Sequence, residues 1–272
     1  MIRAPAVAGQ FYPYSREMLQ KQVEESIDKK SKKEHALGAM CPHAGYMYSG
    51  KPAGLVYSRM KIPDTLVILG PNHTGIGADF AIMTDGIWRM PLGEVKIDKP
   101  LAEEIFKNSK VLEDDFTAHQ HEHSIEVQLP FIQYFSDDFQ FVPITMRHYA
   151  PDDEYLNVCT DIANAIATAV KNTRESVTII ASSDLTHYEP HEVANKKDHA
   201  ILDAVLELDA KKLLQVVRDL RVSMCGFGPV TVMLLACKKL GAKKAELVKY
   251  MTSGDVTKDY GAVVGYGGVI VK

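Results

Sequence analysis

Several features that would place a chain quickly are missing here. No apolar stretch reaches the length of a membrane span, and no basic-then-apolar leader opens the chain. A soluble, cytoplasmic protein with no membrane partner is expected. Basic residues do not outnumber acidic ones. There are 31 Lys and Arg against 35 Asp and Glu, a net charge of −4, which argues against a general nucleic-acid partner. The run Lys29-Lys30-Ser31-Lys32-Lys33 reads as a solvated loop. Cysteine is scarce: Cys41, Cys159, Cys225 and Cys237 show no tight pairing pattern and are taken as reduced thiols. The Gly-x-Ser-x-Gly elbow is absent around Ser182 and Ser183, which weakens a hydrolase triad. Without repeats or low-complexity linkers, residues 1–272 read as a single α/β domain.

What is present is a recurring unit: an apolar run, a break, then a chemically capable residue. The clearest is Leu66-Val-Ile-Leu-Gly-Pro-Asn-His73. Four apolar residues read as a strand buried on both faces, and Gly70-Pro71 ends it. Cys41-Pro-His43-Ala-Gly-Tyr46, Ile179-Ile-Ala-Ser-Ser-Asp184-Leu-Thr-His187 and Met224-Cys225-Gly-Phe-Gly-Pro229 look alike. In open α/β sheets, sites form past the carboxyl ends of strands. Strands are predicted over 36–40, 65–70, 79–84, 93–97, 139–146, 176–181, 246–251 and 261–271. Helices are predicted over 15–30, 50–59, 99–109, 124–136, 152–171, 191–208, 209–220 and 229–240. Residues 1–14 read as an extended arm, Trp88 and Pro91 as a turn, and Pro130 as a kink. The alternation predicts a mixed central sheet sandwiched between helices.

His43 sits in a turn fixed by proline and glycine and reads equally as a functional residue or as a turn histidine bonded to a nearby carbonyl; His73, held rigidly after a buried strand, is a better ligand candidate than a histidine on a helix face. Asp184 either fixes the tautomer of His187 or is itself held by backbone amides. Cys225 precedes a helix, whose N-terminus favours a thiolate; Cys41 is its rival, while Cys159 and Cys237 read as core. His119, His121 and His123 alternate through a polar stretch and read as exposed, with His123 and Glu126 on one face. Two imidazoles and a thiolate suit iron, copper or zinc with open positions; magnesium and calcium would want oxygen ligands.

The sequence resembles the MEMO family along essentially its whole length. The resemblance is carried by Ala6-Val-Ala-Gly-Gln-Phe-Tyr-Pro13, Pro42-His-Ala-Gly-Tyr46, Ile68-Leu-Gly-Pro-Asn-His73, Glu122-His-Ser-Ile-Glu126, Ser182-Ser-Asp184 with His187, and Cys225-Gly226. It implies a fold like that of class III extradiol dioxygenases, which are non-haem iron enzymes. It also implies one mononuclear metal site, with iron or copper ahead of zinc, held by His43, His73 and Cys225. His187, Asp184 and His123 then carry catalysis, as in a metal-dependent oxidoreductase. The dioxygenases hold iron with two histidines and a carboxylate, and Cys225 departs from that set. The alternative implied is a non-catalytic metal- or ligand-binding module acting through protein or peptide partners, as in animal relatives that bind phosphorylated peptides. Archaeal and bacterial relatives imply a functional link to a radical-SAM protein.

Overall fold

A computed structural model describes residues 1–272. The strands, in chain order, are β1 (Ile2–Arg3), β2 (Gly38–Cys41), β3 (Thr65–Pro71), β4 (Phe80–Ile82), β5 (Ile87–Met90), β6 (Gly93–Ile97), β7 (Glu113–Asp114), β8 (Gln140–Met146), β9 (Val177–Ser182), β10 (His187–Glu189), β11 (Ala245–Thr252) and β12 (Val263–Val271). They form one mixed sheet in the order β1-β5-β6-β8-β3-β9-β2-β12-β10, with β11 also on β12 and β4 on β8.

Four neighbouring strands, β8, β3, β9 and β2, run parallel. Every residue of β2 and β3 is buried, as continuous apolar runs require when helices cover both faces. The helices Arg16–Ser26, Tyr46–Arg59 and Leu129–Phe135 pack together. A second group, Lys99–Asn108, Asp153–Asn172, Phe227–Lys239, Ala210–Asp219 and His191–Leu206, forms a chain of contacts that reaches β9 and β3. Cys159 and Cys237 are fully buried in this packing, as small core residues.

Parallel strands share one carboxyl edge. His43, His73, His148 and Asp184 each lie two residues beyond the end of β2, β3, β8 and β9. The topology therefore gathers these side chains, far apart in sequence, along one line.

The fold departs from the sequence-based expectation at Trp88, Pro130 and His119. Trp88 is not in a turn. It lies on β5, fully buried, under the Arg3 guanidinium at 4.0 Å and beside Phe141 at 5.2 Å. Pro130 does not kink a helix. It occupies the first turn of Leu129–Phe135, where its missing N–H would have no partner anyway, and a 3-10 turn, Glu126–Gln128, precedes it. His119 is not exposed. A short helix, Thr117–Gln120, turns it fully into the core.

That last burial has a measurable consequence. Burial, with Arg3 next to the ring, pushes the His119 pKa down from 6.5 to about 3. The folded protein holds the ring neutral, whereas the unfolded chain takes up a proton below about 6.5. Stability from this residue is thus fully present above pH 6.5 and is lost as pH falls toward 3. One proton corresponds to about 1.4 kcal/mol per pH unit. Urea denaturation at pH 6, 5 and 4 should show that slope reduced by this amount in His119→Leu. Identical slopes would show that His119 is protonated in the folded state.

Candidate metal centre

His43 follows β2 through Pro42, and Asp184 Oδ1 accepts its backbone N–H at 2.8 Å. The ring is set by a chain of hydrogen bonds. The Ser182 hydroxyl donates to the Ser124 carbonyl at 2.6 Å and accepts from Gln128 Nε2 at 2.8 Å. Its oxygen is therefore the acceptor for His43 Nδ1–H at 2.9 Å, which leaves Nε2 as the ring's acceptor, facing the Cys225 thiol. Burial, and then the neighbouring imidazoles, hold the His43 pKa well below 6.5, so the ring is neutral and competent to ligate.

His73 is fixed by Glu122. One carboxylate oxygen accepts the His73 backbone N–H at 2.6 Å; the other accepts His73 Nδ1–H at 2.9 Å and the amides of His123 and Ser124 at 2.9 and 2.8 Å. Burial alone would raise the Glu122 pKa. The hydrogen bond and charge of His73, the charge of His123 and the Ser124 amide outweigh it and hold the carboxyl at about 2. An imidazole whose Nδ1–H is bound to a carboxylate presents Nε2, the arrangement that orients metal-binding histidines.

His123 stacks on His73 at 4.6 Å and meets His43 edge-on at 5.5 Å; His43 and His73 are 5.2 Å apart. The ligand atoms of the three rings lie within 4.8 Å of one another, close enough to hold a metal ion. Phe11 of the N-terminal arm covers the outer face of His123 at 4.7 Å. The three imidazoles floor a cavity of about 1060 Å³ that Asp184 and His187 also line.

Cys225 meets this cluster from a different side. Its Sγ lies 3.1 Å from His43 Nε2 and accepts the Asp184 N–H at 3.2 Å, but Cys225 does not line the cavity. The expectation of a ready thiolate is not met by the surroundings of this thiol. Burial, with Asp184 alongside, raises the thiol pKa well above 9 and outweighs the nearby helix start. Gly226 does not leave open access either. A Cβ there would stand 2.4 Å from Ser183 Cβ, so glycine lets this loop press against the end of β9. Cys41 is fully buried on β2, its thiol pushed to about 12 by burial, and it does not line the cavity.

Asp184 supports His43 rather than His187. Burial raises its pKa to about 6. His187 is positioned by Ser223, whose hydroxyl accepts the His187 backbone N–H at 2.7 Å and whose carbonyl accepts Nδ1–H at 2.8 Å. Its Nε2 keeps a free lone pair. Glu126 turns away from His123 to the N-terminal arm: it pairs with Arg3 at 2.6 Å and accepts from the amides of Ala6 and Val7 and from the Tyr12 hydroxyl. His121 is exposed.

Ser182, Gln128 and His148 escaped the sequence-based prediction. For His148 the signal was present, since it follows β8 as His73 follows β3. Its Nε2 contacts the Cys225 carbonyl, its ring lies 6.5 Å from His73, and burial lowers its pKa to about 4.

No helix is long and apolar enough to cross a membrane. Residues 3–270 match a family model described as Memo-like protein. The chain is 44% identical to a MEMO1 family protein of Methanocaldococcus jannaschii, over 100% of this chain and 99% of that one. It is 43% identical to one from Methanosarcina barkeri over the whole of both chains, and 42% identical to one from Methanopyrus kandleri over 100% and 99%. With a family model matched over nearly its whole length and relatives 42–44% identical from end to end, the chain belongs to the Memo family.

Proposed function

We propose that the protein is a mononuclear metal-dependent oxidoreductase acting on a small chelating substrate, of the class III extradiol dioxygenase type. The observation that carries this reading is the floor of the large cavity: three imidazoles within 4.8 Å, two of them with Nδ1 already held by Ser182 and Glu122. His43 and His73 would hold the ion, with the Cys225 sulfur beside His43 and His123 facing the cavity. Nitrogen and sulfur donors fit iron or copper, and also zinc. Such an ion supplies Lewis acidity and, for iron or copper, electron transfer.

The chain's own residues supply the rest. His187, with Nδ1–H bound to Ser223, offers Nε2 to a substrate hydroxyl as a proton acceptor. Phe11 and Tyr12 wall the cavity against water, and the arm that bears them is held by Glu126.

A second reading, a binding module that engages a peptide, draws on the rim of the same cavity. Tyr14, Met18, Met47 and Tyr188 are 72%, 63%, 63% and 78% exposed there. Exposed apolar side chains grouped at a cavity mouth favour a partner surface.

Protein purified without oxygen should carry one metal ion per chain and consume oxygen when given catechols. His187→Ala should keep the metal and lose the uptake. Metal-loaded protein that consumes no oxygen with any catechol would favour the binding module.

A further inference from the structure

A second cavity, of about 380 Å³, lies away from the histidine cluster and shares no residue with the first. Phe80 from β4, Tyr149 from the loop after β8, and Tyr155 from the helix Asp153–Asn172 line it. Their ring centroids form a nearly equilateral triangle, with sides of 6.0, 6.3 and 6.3 Å. Each pair is tilted by almost the same angle, 41°, 43° and 45°. Three rings so spaced around one cavity form an aromatic bowl, and a cation seated over its centre lies inside the roughly 6 Å reach of cation–π attraction of all three.

The polar groups around the bowl narrow the choice of cation. The Tyr155 hydroxyl donates to the Arg147 carbonyl at 3.1 Å, and the Tyr149 hydroxyl donates to Asp79. Asp79 is paired with Arg147 at 2.7 Å. Asp152 Oδ1 caps the helix by accepting the Tyr155 amide at 3.0 Å. The ring hydroxyls and Asp79 are thus already engaged, which leaves the exposed carboxylates of Asp152 and Glu154 as the open acceptors. An ammonium or guanidinium drawn onto the ring faces gives up water at N–H groups that these two outlying carboxylates replace only in part. A cation without N–H groups loses nothing. The charges also favour a cation: the carboxylates of Asp152 and Glu154 line the cavity, and the neighbouring Arg147 guanidinium is already paired with Asp79.

We propose that this bowl binds a quaternary ammonium group, a trimethylammonium head. The proposal is independent of the metal centre and of its chemistry. A trimethylammonium group occurs on free small molecules and on trimethylated lysine, and the two sources present the same head to the rings.

The test is a titration of the full chain, followed by NMR shifts of the Tyr149 and Tyr155 amides. The probes are tetramethylammonium chloride, choline chloride, and a short peptide carrying trimethyllysine. Tert-butanol serves as the neutral isostere. The cations should saturate, with tert-butanol at least tenfold weaker. Tyr149→Ala should weaken choline at least tenfold; Tyr149→Phe, which keeps the ring face, should stay within about threefold of wild type. Glu154→Gln should weaken it about twofold. A peptide tighter than choline would identify a protein-borne ligand; equal affinities would identify a free one. The proposal is overturned if no cation shifts these amides, if tert-butanol binds as well as the cations, or if Tyr149→Phe loses as much as Tyr149→Ala.

Discussion

Glu126→Ala should lower the stability of the fold by about 3–5 kcal/mol, the range found when one partner of a buried ion pair is removed. Arg3 and Glu126 are both fully buried, and the pair is 2.6 Å apart. Without Glu126, the Arg3 charge stays in the core, and the amides of Ala6 and Val7 lose their acceptor. Arg3 also donates to the carbonyls of His119 and Glu122 at 2.8 and 2.5 Å. Arg3→Met should therefore cost a comparable amount. In the double variant Arg3→Met/Glu126→Ala neither charge is stranded, so its cost should fall well short of the sum of the two single changes. Urea denaturation of all three variants measures this. A loss below about 1 kcal/mol in Glu126→Ala would mean that the arm is not held by this residue. Because Phe11 of the same arm covers His123, the destabilised variants should also expose the histidine cluster, which faster modification by diethyl pyrocarbonate would report.

The second large effect is on metal affinity. His43→Ala and His73→Ala should each weaken binding by more than the ~10–100-fold that losing an outer partner of a ligand costs. Glu122→Gln should fall within that outer-partner range, since it disturbs the hydrogen bond that orients His73. His187→Ala should leave affinity unchanged, because Ser223 holds that ring by its own contacts. The third donor is decided by Cys225→Ser against His123→Ala with Co(II) as the probe. A charged sulfur donor produces a thiolate-to-cobalt absorption and binds soft ions more strongly than a neutral imidazole. Cys225→Ser should abolish that absorption and weaken Zn and Cu(I) binding more than His123→Ala does. If Cys225→Ser changes nothing and His123→Ala matches His43→Ala, the ion sits on three histidines.

The parts of this molecule that sequence could report are those whose cause is local. The apolar run 66–69 closed by Gly70-Pro71 announces a buried strand and a turn, and His73 follows from it. The same logic finds His43 and the 182–187 loop. Where the cause is a contact across the fold, local pattern points the wrong way. His119 stands in a polar stretch, yet it is buried because Arg3, 116 residues away, reaches its carbonyl. Trp88 stands near a proline and glycine turn, yet it forms the floor under that same arginine. Cys225 shows the two scales in conflict. Its place ahead of a helix favours a thiolate, and its burial in the fold reverses the sign.

The position of β12 sets the timing of biogenesis. It lies inside the sheet, against β2 in the register Gly38–Val271, Ala39–Ile270 and Met40–Val269. β2, four residues long, therefore leaves the ribosome with both edges bare; β9 later covers one, and β12, which covers the other, follows over two hundred residues later. At ~5–20 residues per second, that is a wait of roughly 10–40 s. Through that interval an apolar edge directly upstream of His43 is open to pairing with other chains, the condition under which nascent sheets aggregate or recruit chaperones. An ion that reached His43 before β12 docked would find its strand unpinned.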